Sequence, residues 1–224
     1  MKIIASAALA AALFAAGGAS ASTVYTVDVW TGAPNGVTSS AVADAAHTPT
    51  GAASAEFTYT GDINWFAPGP QNTDSSGNLV GAFIPSANIS GFTSPSGAYA
   101  TLGDFLNASL SVAGDAYASF FKITGSYSGS SVGGTIKHDD GASVYDYLGN
   151  AVYSSPAETS EITGNFVLPD GDHTFTVDYV EGNGSPSVLT LAVPEPATWA
   201  MMLLGFFGLG AMLRSRGKRD MVAA

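Results

Sequence analysis

The sequence predicts an all-β protein: an antiparallel β-sandwich, flanked by an N-terminal signal peptide and a single C-terminal transmembrane helix. Three observations carry this. Short runs alternate apolar and polar residues, the period of a half-buried strand. Gly, Ser, Thr and Pro interrupt those runs about every ten residues, as strands and turns do in a sandwich. The two ends are apolar stretches bordered by basic residues, the form of export and membrane segments rather than of a folded core.

The elements follow in chain order. Met1–Ala21 reads as a signal peptide: Lys2 gives the positive start, Ile3–Phe14 is apolar apart from Ser6, and Ala19-Ser20-Ala21 is a small-residue cleavage site. The mature chain would begin near Ser22, outside the cytoplasm. Val24–Trp30 is the first alternating run. In the second, Phe57 and Tyr59 form one face and Glu56, Thr58 and Thr60 the other. Pro68–Gly81 is polar and turn-rich and predicts a long loop, and Leu102–Leu110 predicts one short helix. Phe121, Ile123 and Gly125 alternate with Lys122, Thr124 and Ser126. His173–Val180 is the clearest strand, with Phe175, Val177 and Tyr179 inward and Thr174, Thr176 and Asp178 outward. Asp170-Gly171 before it is a hairpin-type turn. Ser187–Val193 closes the body, so residues 22–193 read as one β-sandwich domain.

After it, Ala197–Leu213 holds 17 residues without a charge. At about 1.5 Å per residue these reach roughly 25 Å, just short of a bilayer core. Trp199 stands at the outer edge of that span. Arg214, Arg216, Lys218 and Arg219 would stay in the cytoplasm by the positive-inside rule.

Composition excludes several function classes. The body sets two lysines, Lys122 and Lys137, against sixteen acids. Such a surface cannot neutralise phosphates, so nucleic acid is excluded as a partner. It would welcome divalent cations. The chain has no Cys, which removes disulfides, thiolate metal sites and thiol nucleophiles together.

Asp139-Asp140-Gly141 is the strongest candidate for chemistry. Adjacent carboxylates repel unless a cation lies between them, and a pair of hard oxygen donors suits Ca²⁺. A solvated turn with Asp-Gly at its tip is the plainer alternative. His47, His138 and His173 lack metal-like spacing, and His173 is expected to pack behind its turn. Gly129–Gly133 matches G-x-S-x-G without a following helix, which argues against a nucleophile elbow. Asp170 with Asp172, or Glu158 with Glu161, could pair as hydrolytic acids, but nothing in the sequence marks a cleft around them. No enzyme is expected.

Two resemblances add to this reading. Pro194-Glu195-Pro196-Ala197-Thr198-Trp199-Ala200, followed by the apolar span and the basic tail, closely resembles the PEP-CTERM sorting signal in its PEP-x-x-W-A form. The segment 194–219 would then be the sorting signal, with Pro194, Glu195, Pro196 and Trp199 as its motif. The resemblance implies an exosortase, an integral-membrane protease, as partner. It also implies export in a Gram-negative bacterium, with inner-membrane anchoring before processing and then release to the cell surface or extracellular matrix. The two prolines keep Glu195 extended, as a protease cleft requires.

The second resemblance covers roughly Phe120–Leu191. Asp139-Asp140-Gly141, Tyr145-Asp146, Gly149, Leu168-Pro169-Asp170-Gly171-Asp172-His173, Tyr179 and Glu181 stand in an order similar to the protective-antigen-like lectin domain, also found in yeast flocculins. The Tyr145–Gly149 stretch is longer than the family's hairpin. In sugar-binding members the Asp pair is joined by a cis peptide and holds Ca²⁺ with an Asn from a late loop. That implies Asp139, Asp140 and Asn183 as metal ligands here, although Asn183 between glycines also reads as an ordinary left-handed turn residue. The implied function is an exported surface protein with a calcium-assisted carbohydrate-binding or adhesion module, linked to exopolysaccharide or biofilm. The alternative is a structural matrix or envelope protein with no sugar ligand.

Overall fold

Strand β1 (Val24–Thr31) buries Tyr25, Val27 and Val29 and turns Val24, Thr26 and Asp28 the other way. Period-two alternation of this kind builds most of the body. The structure, a computed structural model, describes residues 23–32, 42–70, 78–113, 117–128 and 132–193, together with 205, 206 and 208. After β1 come β2 (Ala55–Thr60), β3 (Ile63–Ala67), the helical turn α1 (Val80–Phe83), β4 (Ile89–Thr93) and the short helix α2 (Leu102–Leu106). Then follow β5 (Ser119–Tyr127), β6 (Val132–Asp139), β7 (Ala142–Tyr145) and β8 (Ala151–Ser155). β9 (Ile162–Leu168), β10 (His173–Glu181) and β11 (Ser187–Ala192) complete the body.

The strands form two sheets, a seven-stranded one in the order β4-β2-β1-β5-β10-β7-β8 and a four-stranded one in the order β3-β11-β6-β9. Every neighbouring pair is antiparallel. The all-β sandwich expected from the alternating runs is therefore the fold. An aromatic cluster joins its two layers. Trp65 of the smaller sheet meets Tyr59, Phe83 and Phe121 at ring distances of 5.1, 5.6 and 6.1 Å. Burial of each such ring contributes about 1.5–3 kcal/mol, and ring-on-ring geometry adds to that.

Four local expectations need correction. Pro68–Gly81 is not a loop to its end: Leu79 pairs with Ser109, and Val80 and Phe83 are buried on α1. Apolar burial there overrides the polar, turn-like composition. The helix expected over Leu102–Leu110 stops at Leu106. Thr101 and Asp104 cap its start reciprocally, but the Asn107 amide turns back to the Gly103 carbonyl (2.9 Å) and Ser109 enters the pairing with Leu79. Asp170-Gly171 does not close a hairpin, because β9 lies in the small sheet and β10 in the large one. Asp178 points outward as its register requires, yet it is only 3% exposed. The segment around Ala43–Gly51 crosses that part of the sheet, with Thr48 donating to the Asp178 carboxyl (3.0 Å) and Trp30 to the Gly51 carbonyl (2.8 Å).

From β5 onward the chain changes sheet at every connection except β7–β8. Three of these crossings, β6–β7, β8–β9 and β10–β11, meet at one end of the sandwich. Among the described residues no helix is long and apolar enough to cross a membrane. Met1–Ala21 and the sorting motif, with Pro194, Glu195, Pro196 and Trp199, lie outside the described residues.

Candidate metal and ligand site

The three crossings enclose a cavity of about 260 Å³, lined by Asp139 and Asp140, by Glu158–Ser160 and by Gly182–Pro186. Asp139 is the last residue of β6 and sits opposite Val188 of β11. The peptide between Asp139 and Asp140 is cis. Gly141 then passes so close to the end of β8 that a Cβ there would lie 2.0 Å from the Pro156 carbonyl oxygen. The Gly141 carbonyl accepts from Val180 N–H at 3.0 Å, which fastens the crossing to β10. Glycine is thus required by close approach, not merely by a turn.

The two acids are nearly buried, Asp139 at 9% and Asp140 at 5% exposure. That decides between the two sequence readings of this turn in one respect: it is not a solvated tip. Gly182 N–H donates to Asp140 Oδ2 at 2.9 Å. Asn183 takes φ 51° and Gly184 φ 86°, which bends the β10–β11 crossing back over the cavity. The Asn183 amide nitrogen donates to Glu158 Oε1. Asn183 is thus both a left-handed turn residue and part of the cavity wall.

A polar layer supports this wall from beneath. His138 is fully buried, and burial holds its pKa below the usual range. Neutral, it donates through Nδ1 to the Asp140 carbonyl and accepts through Nε2 from the Tyr153 hydroxyl at 2.7 Å. Glu181 is fully buried too; burial, then the nearby Asp140 carboxylate, hold its carboxyl well above the carboxylate range. The Tyr179 hydroxyl lies 2.6 Å from Glu181 Oε2 and 2.6 Å from the Asp139 carbonyl oxygen. One Tyr179 hydroxyl proton serves one of these oxygens; with Glu181 neutral, its carboxyl O–H donates a hydrogen bond to the Tyr179 oxygen, and the Tyr179 hydroxyl donates to the Asp139 carbonyl oxygen. Ser111 donates to Glu181 Oε1 (3.1 Å) and accepts from Gly184 N–H (3.2 Å).

Burial, opposed by the hydrogen bond with Asp140, pushes the Asp139 carboxyl up to about 6. Among the described residues no basic side chain lines the cavity, and Lys137 nearby is engaged by Glu161 at 2.9 Å. The donor set fits calcium in kind. It offers two carboxylates, an amide whose nitrogen is committed to Glu158, and backbone carbonyls, all hard oxygens at the edge of solvent. Among the described residues no three His, Cys, Asp or Glu side chains converge as a ready-made cage. A cation here would need amide, backbone and ligand oxygens to complete its shell.

The other candidates fall elsewhere. His47 bonds to Asp44 at 2.6 Å on the strap over the large sheet. His173 is stacked on Tyr147 at 3.6 Å and meets the Tyr127 ring edge, besides touching its own turn at Gly171. Asp170 and Asp172 occupy the β9–β10 crossing and do not line this cavity. Glu158 is a rim residue, and Glu161 is the partner of Lys137. Residues 129–131 of the G-x-S-x-G match lie outside the described residues. Sequence reasoning named Tyr179 and Glu181 in the resembling pattern but gave them no role, and it missed Ser111. One signal was present: Glu181 continues the inward register of Phe175, Val177 and Tyr179 and so had to be an acid in the core.

Comparison with known proteins gives two findings. Residues 192–217 match the PEP-CTERM protein-sorting motif. Solved structures similar to the chain include the PA14 sugar-binding domain from an RTX adhesin, at 15% identity and TM-score 0.46, covering 79% of this chain and 91% of that one. The PA14 domain of the MpAFP antifreeze protein gives 15% identity and TM-score 0.46, covering 79% and 82%. The Epithelial Adhesin 9 A domain from Candida glabrata, in complex with Galb1-3GlcNAc, gives 10% identity and TM-score 0.40, covering 77% and 82%. No curated protein matches the chain.

Proposed function

We propose that the protein is exported and sorted by an exosortase acting at Pro194-Glu195-Pro196, and that its body binds carbohydrate through Ca²⁺ held by Asp139, Asp140 and Asn183. The observation that carries the second part is the cavity of about 260 Å³ in which two nearly buried carboxylates face the Asn183 turn. A bound calcium would neutralise the crowded pair and leave coordination positions for vicinal sugar hydroxyls. The protein's own share is positional. Gly182 N–H and His138 hold the two ends of Asp140, Tyr179 holds Asp139, and Glu158 orients Asn183. A role in adhesion within an exopolysaccharide or biofilm matrix follows from such binding at the cell surface.

The test is calorimetry and thermal unfolding with and without millimolar CaCl₂. At a hundredfold excess over the dissociation constant, binding stabilises by about 2.7 kcal/mol. That corresponds to a rise of about 5–10 °C in Tm for a domain of this size. Asp140→Asn keeps an acceptor for Gly182 N–H but removes one charge, and should abolish most of the rise. Glycan-array binding should require Ca²⁺ and fall in the same variant. Absence of both heat and thermal shift would leave the structural-matrix reading in place of the lectin one.

A further inference from the structure

A second cavity, of about 390 Å³, lies on the outer face of the seven-stranded sheet, away from the crossings. Its wall includes Asp178, Lys122, Thr48, Thr174, Thr176 and Tyr147. Its size is within the range of small-molecule sites. Asp178 is 3% exposed; Oδ2 accepts from Thr48, while Oδ1 has no hydrogen-bond partner. A buried carboxyl oxygen without a partner is costly, so it points to a group not supplied by the protein. Lys122 stands directly opposite Asp178 on one side and Asp28 on the other, and no ion pair joins it to either. Tyr147 is held flat against His173, with rings 3.6 Å apart and 12° from parallel, and remains 44% exposed.

The wall's chemistry narrows the ligand. An anion would meet one ammonium but two acids, Asp178 and Asp146. A bare metal ion would meet the same ammonium. An aliphatic ligand would leave Asp178 Oδ1 without a partner and would strip water from the Lys122 ammonium. A neutral sugar residue meets none of these objections, because each hydroxyl both donates and accepts. It matches an acceptor carboxyl set beside a donor ammonium, with threonine hydroxyls around and a rigid aromatic ring at the rim. We propose that this cavity is a second, metal-independent saccharide site, which takes a neutral sugar residue through vicinal hydroxyls bridging Asp178 and Lys122. It shares no residue with the Asp139/Asp140 cavity and does not depend on calcium there.

Saturation-transfer NMR on the purified full-length protein in excess EDTA tests this, with the methyl glycosides of glucose, galactose, mannose and N-acetylglucosamine as probes. At least one glycoside should bind in EDTA. Lys122→Met, Thr176→Val and Tyr147→Ala, each checked by circular dichroism for an unchanged fold, should weaken it about fivefold apiece, the loss of roughly one contact. Tyr147 is exposed, so its variant keeps the test valid should a sheet variant fail to fold. Binding by none of the four probes in EDTA overturns the proposal, as does binding that all folded variants leave unchanged. Sugar binding seen only with Ca²⁺ also overturns it while leaving the calcium site standing. Binding in EDTA that the variants weaken supports it even if calcium binds nowhere.

Discussion

Replacing Asp178 by Asn should change how stability depends on pH, and the sign discriminates between two electrostatic accounts. Asp178 is opposed by Lys122 across the strand pair, which favours its ionised form, and its burial favours the neutral one. Burial wins: the carboxyl is pushed up to about 6, with the Thr48 hydrogen bond and Lys122 pulling down and Asp44 adding to the rise. A raised carboxyl stabilises the fold fully below its unfolded value near 3.9, and that contribution is lost as pH rises through about 6. The span is about two pH units, worth up to roughly 3 kcal/mol at about 1.4 kcal/mol each. Asn keeps an oxygen for Thr48 and does not titrate. At pH about 4 the variant should stay within about 1 kcal/mol of the wild type, because Thr48 keeps its acceptor and Oδ1 has no partner to lose. By pH about 7.5 it should equal or exceed the wild type by about 1–2 kcal/mol. Urea unfolding followed by circular dichroism at both pH values and one between gives the comparison. Other raised carboxyls, Asp139 among them, titrate in both proteins and cancel in the difference. A deficit that grows with pH would mean that Asp178 is ionised and paired with Lys122, and the burial argument would be wrong.

Three further outcomes are expected. Tyr179→Phe keeps the ring contacts with Phe83 and Phe121 but leaves the Asp139 carbonyl and Glu181 short of a buried partner; thermal unfolding should show a loss of about 2–4 kcal/mol. Gly141→Ala drives a Cβ to 2.0 Å from the Pro156 carbonyl; the overpacking should cost about 1–3 kcal/mol by urea titration and remove any calcium-induced rise in Tm. Glu195→Ala should leave the full-length chain in the inner membrane, read by fractionation and immunoblotting; normal surface display of this variant would refute exosortase sorting at Pro194-Glu195-Pro196.

Strands were legible wherever one face meets the core and the other meets water, because period two then appears directly in the residues. β1 and β2 follow that rule throughout, and β5 and β10 over part of their length. It fails where a face is covered by something distant in sequence. Asp178 looks like a surface residue until the strap carrying Thr48, 130 positions earlier, is laid over it. The pairing of sheets was not legible either. Asp139-Asp140-Gly141 and Asp170-Gly171 carry turn chemistry, but a turn within a sheet and a crossing between sheets use the same residues. The cavity depends on that distinction, since it exists only because three crossings meet. Asp139, Asp140 and Asn183 could be nominated by resemblance and do line one cavity. Glu181 could have been found from register alone, as an acid on an inward-facing position. Ser111 could not, since only the tertiary fold brings it beneath β10.

The direction of β11 has a mechanical consequence. This strand starts beside the cavity, with Val188 opposite Asp139, and runs away from it to Ala192, opposite Thr135. β11 therefore ends at the end of its sheet away from the cavity. A pull applied at the last residue of β11 against a ligand held in the cavity would load the strand along its own axis. It lies between β3 and β6 and is hydrogen-bonded antiparallel to both. Tension would have to shear two ladders at once rather than unzip one bond by bond, so this C-terminal strand is placed as a clamp against pulling.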